Sequence, residues 1–137
     1  MKIVIDTNVV ASAIFFGGRP KKLLELLVSH SLEAFVSSEI ITEYQETIAE
    51  LCERYPNKPE KLPISNIIGA MKLIEPSSSI SVCRDPDDDK FLECAVDAKC
   101  IYIVSGDKDL LSLESYDKVQ IVTVADFFQH YDPQQDD

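Results

Sequence analysis

The chain opens with Met1 and the stretch Lys2-Ile3-Val4-Ile5-Asp6. Three consecutive branched apolar residues are too hydrophobic on both faces for a half-exposed strand, so the segment reads as a short buried one. Asp6 stands where that run leaves the core. Whether this charge is ordinary loop chemistry depends on where the other carboxylates of the chain fall.

Working outward, Asn8 is suited to cap a helix through Val9, Val10, Ala13 and Ile14, which Gly17-Gly18 would end. Pro20 fits the first turn of a second helix carrying Leu23, Leu24, Leu26 and Leu27. Glu33 to Val36 reads as a strand. Ser37 or Ser38 then caps a helix with an apolar stripe of Ile40, Ile41, Tyr44, Ile48 and Leu51. Another helix is expected from about Glu60 to Leu73, limited by Pro63 and weakened by Gly69. Pro76 and the serines Ser77 to Ser79 form a loop, with Ile80 and Val82 extended beside it. Asp88 to Lys99 is a helix, Ile101 to Val104 a strand, and Lys108 to Leu113 a turn or short helix. Val119 to Val124 is a further strand, and Ala125 to His130 a closing helix. Strands alternating with helices predict an α/β fold with a mainly parallel central sheet. Residues 1–131 are expected to form one domain, and the polar tail 132–137 to fray.

A chain of 137 residues is long enough to bury one core of its own. No stretch approaches the apolar length needed to span a bilayer, and no secretion signal is visible at the N-terminus. Cys52, Cys83, Cys94 and Cys100 form no C-x-x-C pair and lie far in sequence from His30 and His130. Zinc and a disulfide framework are therefore not expected, and a cytoplasmic setting with reduced thiols is. The formal net charge of -11 argues against a protein that holds nucleic acid by its overall field. Arg19, Lys21 and Lys22 are the one tight basic group, so any nucleic-acid binding must use local cations. A basic protein partner also fits this charge.

In open parallel sheets, ligands bind beyond the carboxyl ends of the strands. Asp6 lies at that end of the first strand. Asp107 and Asp109, in Ser105-Gly106-Asp107-Lys108-Asp109, lie at that end of the Ile101–Val104 strand. Glu43 follows Ile40 by three and so borders the buried stripe of its helix. In the run Asp85-Pro86-Asp87-Asp88-Asp89, Asp88 precedes Phe91 by three and Leu92 by four, which puts it on their face. Asp89 is turned about 100° away by the helical repeat and is the rival choice. Asp85 and Asp87 read as turn and cap residues.

Taken singly, each acid has an ordinary explanation as a cap, turn former or surface residue. Several meeting at one sheet edge do not. Two like charges about 4 Å apart repel by roughly 4 kcal/mol at an effective dielectric of 20. A cluster must therefore protonate in part or hold a cation. Oxygen ligands without Cys or His select hard ions, Mg²⁺ or Mn²⁺, and such ions serve phosphoester hydrolysis.

Ile3-Val4-Ile5-Asp6-Thr7-Asn8 resembles the opening of PIN-domain ribonucleases. So do Ser38 through Glu43-Tyr44, the run Asp85 to Ala95, and Ile103-Val104-Ser105-Gly106-Asp107-Lys108-Asp109-Leu110-Leu111. The likeness spans nearly the full chain, keeps the motif order, and extends to the VapC-type toxins of toxin–antitoxin pairs. It implies a three-layer α/β/α fold and a Mg²⁺- or Mn²⁺-dependent endoribonuclease. Carried over by position, Asp6, Glu43 and Asp88 are the three central acids and Asp107 the fourth, with Asp109 a helper. Ser105 and Asn8 match residues that orient carboxylates or water. Asp6 and Asp88 would ligate metal, Glu43 would act through water, and Asp107 would complete the acidic wall; one ion or two stays open. Arg19, Lys21 and Lys22 would reach the RNA backbone. A cognate antitoxin and a homodimer are the implied partners, with Leu23–Val28 or Ile64–Ile74 either supplying a dimer face or belonging to the core.

Two other readings compete. A haloacid-dehalogenase-like phosphatase also opens with an apolar strand ending in aspartate, but needs an acid two residues later, where this chain has Asn8. The second is a PIN-like binding or scaffold module without turnover.

Overall fold

The computed structural model describes residues 1–131; the tail expected to fray, 132–137, lies outside the described residues. Six strands form the central sheet: β1 (Lys2–Ile5), β2 (Glu33–Val36), β3 (Lys72–Leu73), β4 (Tyr102–Val104), β5 (Ser115–Tyr116) and β6 (Val119–Val122). Their spatial order is β3-β2-β1-β4-β6-β5, and every pairing is parallel except β5 with β6. Helices α1 (Thr7–Phe15), α2 (Gly18–Val28), α3 (Ser38–Arg54), α4 (Ile64–Gly69), α5 (Asp89–Asp97), α6 (Lys108–Leu111) and α7 (Val124–His130) complete a three-layer α/β/α arrangement.

β1 lies inside the sheet, and Ile3, Val4 and Ile5 are all fully buried. Each such side chain contributes about 1.5–3 kcal/mol through loss of apolar surface from water. Those three residues thus anchor the strand from which Asp6 emerges. Strands β2 and β6, one step in from the edges, alternate instead, with Ala34, Val36, Val119 and Ile121 inward.

Some element boundaries differ from the sequence reading. Helix α1 starts at Thr7, with Asp6 rather than Asn8 in the N-cap position. The helix expected from Glu60 to Leu73 shrinks to α4, because Pro63 takes its N-cap position and Lys72-Leu73 pairs with Phe35-Val36 as an edge strand. Loop 55–63 instead folds back on α1, where Lys61 N–H donates to the Ile14 carbonyl at 2.6 Å. Gly17, at the α1–α2 junction, has φ +80, a conformation that favours glycine. Leu23, Leu24, Leu27 and Ile67 are buried, so most of the apolar character of α2 and α4 goes into the core rather than an exposed face.

Candidate active site

The parallel pairing of β1 with β4 sets Ile5 beside Val104, so Asp6 and Ser105 leave the sheet side by side. Asp6 N–H donates to Val104 O at 2.9 Å, and Ser105 N–H to Val122 O at 2.9 Å. Ser105 is fully buried, and its hydroxyl donates to Asp6 Oδ2 at 2.6 Å. The same hydroxyl accepts Asp107 N–H at 3.0 Å, which ties the turn after β4 to the carboxylate after β1. Asp107 caps α6 through Leu110 N–H at 3.2 Å.

Glu43 reaches this edge from α3. Tyr44, the next residue, is fully buried and donates its hydroxyl to the Ile5 carbonyl at 2.5 Å, fixing α3 against the end of β1. Both oxygens of Glu43 have partners: the Thr7 hydroxyl donates to Oε2, and Lys90 Nζ lies 2.8 Å from Oε1. The Lys90 ammonium also donates to the Asp87 carbonyl at 2.5 Å, and its side chain is only 10% exposed.

Asp88 ends a 3-10 turn, Pro86–Asp88, just before α5. It lines one pocket of about 280 Å³ together with Asp6, Thr7, Asn8, Glu43, Thr47, Asp85, Asp87 and Asp107. Asp89 does not. It is buried away from the pocket, and its Oδ1 accepts the N–H groups of Cys83 at 2.9 Å and Val82 at 3.2 Å. Asp109 also lies outside the lining, exposed on α6 with Arg84 at 3.6 Å. The basic trio divides: Arg19 and Lys22 border a depression beside α7, whereas Lys21 extends past Gly17 near Lys61.

Electrostatics follow from that crowding. Burial raises the Asp88 carboxyl from 3.8 to about 7, and the charges of Asp107, Asp6 and Asp85 add to the shift. Burial also raises Asp6, opposed by the Ser105 hydrogen bond and reinforced by Glu43 and Asp107. Six carboxylates, from Asp6, Glu43, Asp85, Asp87, Asp88 and Asp107, thus line one pocket, and Lys90, outside that lining, pairs with Glu43.

Among the described residues no three His, Cys, Asp or Glu side chains stand close enough to grip one ion together. The donors line an open pocket rather than converge on a point. Their chemistry nevertheless suits Mg²⁺, which keeps several waters and takes one or two carboxylates, with substrate phosphate supplying further oxygens. Asp6 and Asp88 both hold N-cap positions without a side-chain cap hydrogen bond, although Asp6 Oδ2 accepts the Ser105 hydroxyl.

Thr7, Thr47 and Lys90 were not singled out from sequence. Lys90 carried a signal, as the one cation directly after the run of acids at 87–89. Thr7 and Thr47 carried none, because hydroxyl residues are ordinary at a helix start and on a helix surface.

Comparison with known proteins agrees with the fold. The family model described as PIN domain matches residues 2–109. The uncharacterized protein MJ1680 of Methanocaldococcus jannaschii is 35% identical over 122 residues, covering 86% of this chain and 78% of that protein. PIN domains are generally nucleases, so the match implies a nuclease-type fold. The chain belongs to the PIN-domain family.

Proposed function

We propose that this chain is a metal-dependent endoribonuclease that hydrolyses phosphodiester bonds in RNA, with Asp6, Glu43, Asp88 and Asp107 as its working acids. The observation that carries this reading is a pocket lined by six carboxylates, in which burial and neighbouring charges oppose ionisation of Asp88. A cluster of that kind is relieved by a hard divalent cation. Mg²⁺ or Mn²⁺, when bound, supplies charge stabilisation for the phosphoryl oxygens and lowers the pKa of water.

The chain's own groups divide the remaining work. Asp6 and Asp88 would hold the cation. Ser105 orients Asp6 and favours its ionised form through its 2.6 Å hydrogen bond. Glu43, held on both oxygens by Lys90 and Thr7, acts from a fixed outer position on water. Asp107 and Asn8 border the space into which the phosphate enters.

The finer role is toxin of a toxin–antitoxin pair, acting as a homodimer. It rests on the VapC-like order of the motifs. The dehalogenase-like alternative lacks its second acid, because Asn8 stands at that position.

The test is cleavage of a structured RNA by purified protein with Mn²⁺ or Mg²⁺. Activity should stop with EDTA and be lost in Asp6→Asn and Asp88→Asn. Cleavage that survives chelation, or variants as active as the parent protein, refutes the reading. RNA left intact under every metal condition points to the binding module without turnover.

A further inference from the structure

Helix α1 starts at the acidic pocket with Thr7 and ends at Phe15, so about 13 Å of helix separates the pocket from the α1–α2 junction. At that far end the charge changes sign. Loop 55–63 folds back over the junction, held by Lys61 N–H on the Ile14 carbonyl and by a turn in which Lys58 N–H donates to the Tyr55 carbonyl at 3.1 Å. Lys58 Nζ lies 4.8 Å from the ring centroid of Phe16. Lys61 and Lys21 both run past buried Gly17, where a Cβ would lie 3.2 Å from Lys61 Cδ and 3.9 Å from Lys21 Cδ. The bare backbone of Gly17 thus lets lysine stems from α2 and the loop draw together. Lys21 belongs to this group and not with Arg19 and Lys22.

Like charges gathered in this way repel, and acids are plentiful: 24 Asp and Glu against 13 Lys and Arg. Lys21, Lys58 and Lys61 nevertheless make no salt bridge among the described residues. Glu60, between two of them in sequence, accepts from Cys52 Sγ at 3.7 Å instead. Beside the three ammonium groups stand Phe16, 59% exposed, and Tyr55, 43% exposed. Exposed rings rimmed by unpaired charge mark an interaction surface.

We infer that this surface docks an acidic polypeptide segment, whose carboxylates meet Lys21, Lys58 and Lys61 and whose apolar side chain covers Phe16 and Tyr55. Charge complementarity selects the class. The island is cationic on a chain of net charge -11, so a ligand gains by being anionic only where it touches. A polypeptide can confine its carboxylates to one short stretch. RNA carries charge at every residue and meets repulsion wherever it leaves the island. Lysines also offer single ammonium groups rather than the flat fork of arginine, which suits separate carboxylates. Lys58 already covers part of the Phe16 ring, leaving the remainder to a side chain rather than a stacked base. The inference stands apart from the ribonuclease reading, because none of these residues lines the acidic pocket.

The test uses the full chain in EDTA at low salt and three short fluorescein-labelled probes. One peptide has Asp and Glu flanking a central Phe-Leu pair, a second has Asn and Gln in place of the acids, and the third probe is single-stranded RNA. Anisotropy should show the acidic peptide binding at least about tenfold more tightly than the neutral one, with affinity falling as salt rises. Lys58→Gln/Lys61→Gln should weaken it about tenfold and flatten the salt dependence. Phe16→Ser should cost about threefold with the salt dependence kept. Thermal melts should place both variants near the parent protein, because Lys61 N–H keeps its bond to Ile14 and Phe16 is largely exposed. Should the double variant fail to fold, Lys58→Gln alone carries the same test, with a smaller loss in the same direction. Lys118→Gln, in the turn between β5 and β6, should bind as the parent protein does.

Equal binding of the acidic and neutral peptides, or full affinity in the double variant, overturns the inference. RNA bound more tightly than the acidic peptide, and weakened by the same substitutions, overturns the assignment to a polypeptide.

Discussion

Replacing Asp88 by Asn should stabilise the metal-free protein at pH 8, although it removes a central acid. Asp88 releases its proton near 3.8 in an unfolded chain and near 7 in the folded one. Between those values the folded state binds more protons than the unfolded state, so stability falls as pH rises, and the loss is complete above about 7. At 1.36 kcal/mol per pH unit that interval corresponds to about 4 kcal/mol. Asp88 is only partly buried, and screening by water reduces the figure to about 1–2 kcal/mol. Asn has the same shape and never ionises. Thermal melts in EDTA should therefore place Asp88→Asn about 3–6 °C above the parent protein at pH 8, with the gap closing towards pH 4. Added Mn²⁺ should reverse the order, raising the melting temperature of the parent protein through preferential binding to the folded state while moving the variant little. A variant less stable by the same amount at both pH values, or one stabilised by Mn²⁺ as strongly as its parent, would refute the charge-repulsion argument.

Three further substitutions separate the roles of neighbouring groups. Asp89→Ala leaves the Val82 and Cys83 N–H groups without their acceptor, and should cost about 1–3 kcal/mol in denaturant unfolding while preserving the Mn²⁺-induced rise in melting temperature. Lys90→Met keeps the aliphatic stem but strips Glu43 of its cation; melts in EDTA at pH 8 should fall, and the increment from Mn²⁺ should exceed that of the parent protein. Ser105→Ala removes the donor that favours ionised Asp6, so the acid limb of the cleavage pH profile should move to higher pH; an unmoved limb would show that Asp6 ionisation does not control the rate.

The α/β alternation was legible because β1, β2, β4 and β6 carry their apolar residues in runs that local sequence exposes. The edge strands were not. Lys72-Leu73 and Ser115-Tyr116 are two residues each, too short for any period, and exist because a partner strand receives them. The same limit hid the clamp on Glu43. Spacing could put Glu43 beside the buried stripe, but Thr7 and Lys90 meet it from two other elements, 36 and 47 positions away in the chain. Lys90 illustrates the difficulty well: after three acids it reads as a solvated counter-charge, whereas its stem is almost wholly enclosed.

The acids themselves show where sequence patterns stop discriminating. Asp6, Asp85, Asp88 and Asp107 all occupy the residue before a helical segment, the position where an aspartate ordinarily spends its side chain on an exposed N–H. Asp85 does so with Asp87 N–H at 3.0 Å, and Asp107 with Leu110 N–H at 3.2 Å. Asp6 and Asp88 do not cap. In Asp6 the carboxylate turns to Ser105 instead; in Asp88 it turns to Asp107, and that contact helps to raise its pKa. An N-cap aspartate that declines its cap gives up roughly 1 kcal/mol of helix stability. It also keeps its oxygens in an acidic pocket where repulsion opposes them. The Ser105 hydrogen bond offsets part of this for Asp6, and a cation shared between Asp6 and Asp88 would offset more. The two acids that cap nothing are therefore the ones whose substitution should abolish the metal response, and no motif spacing distinguishes them from the two that cap.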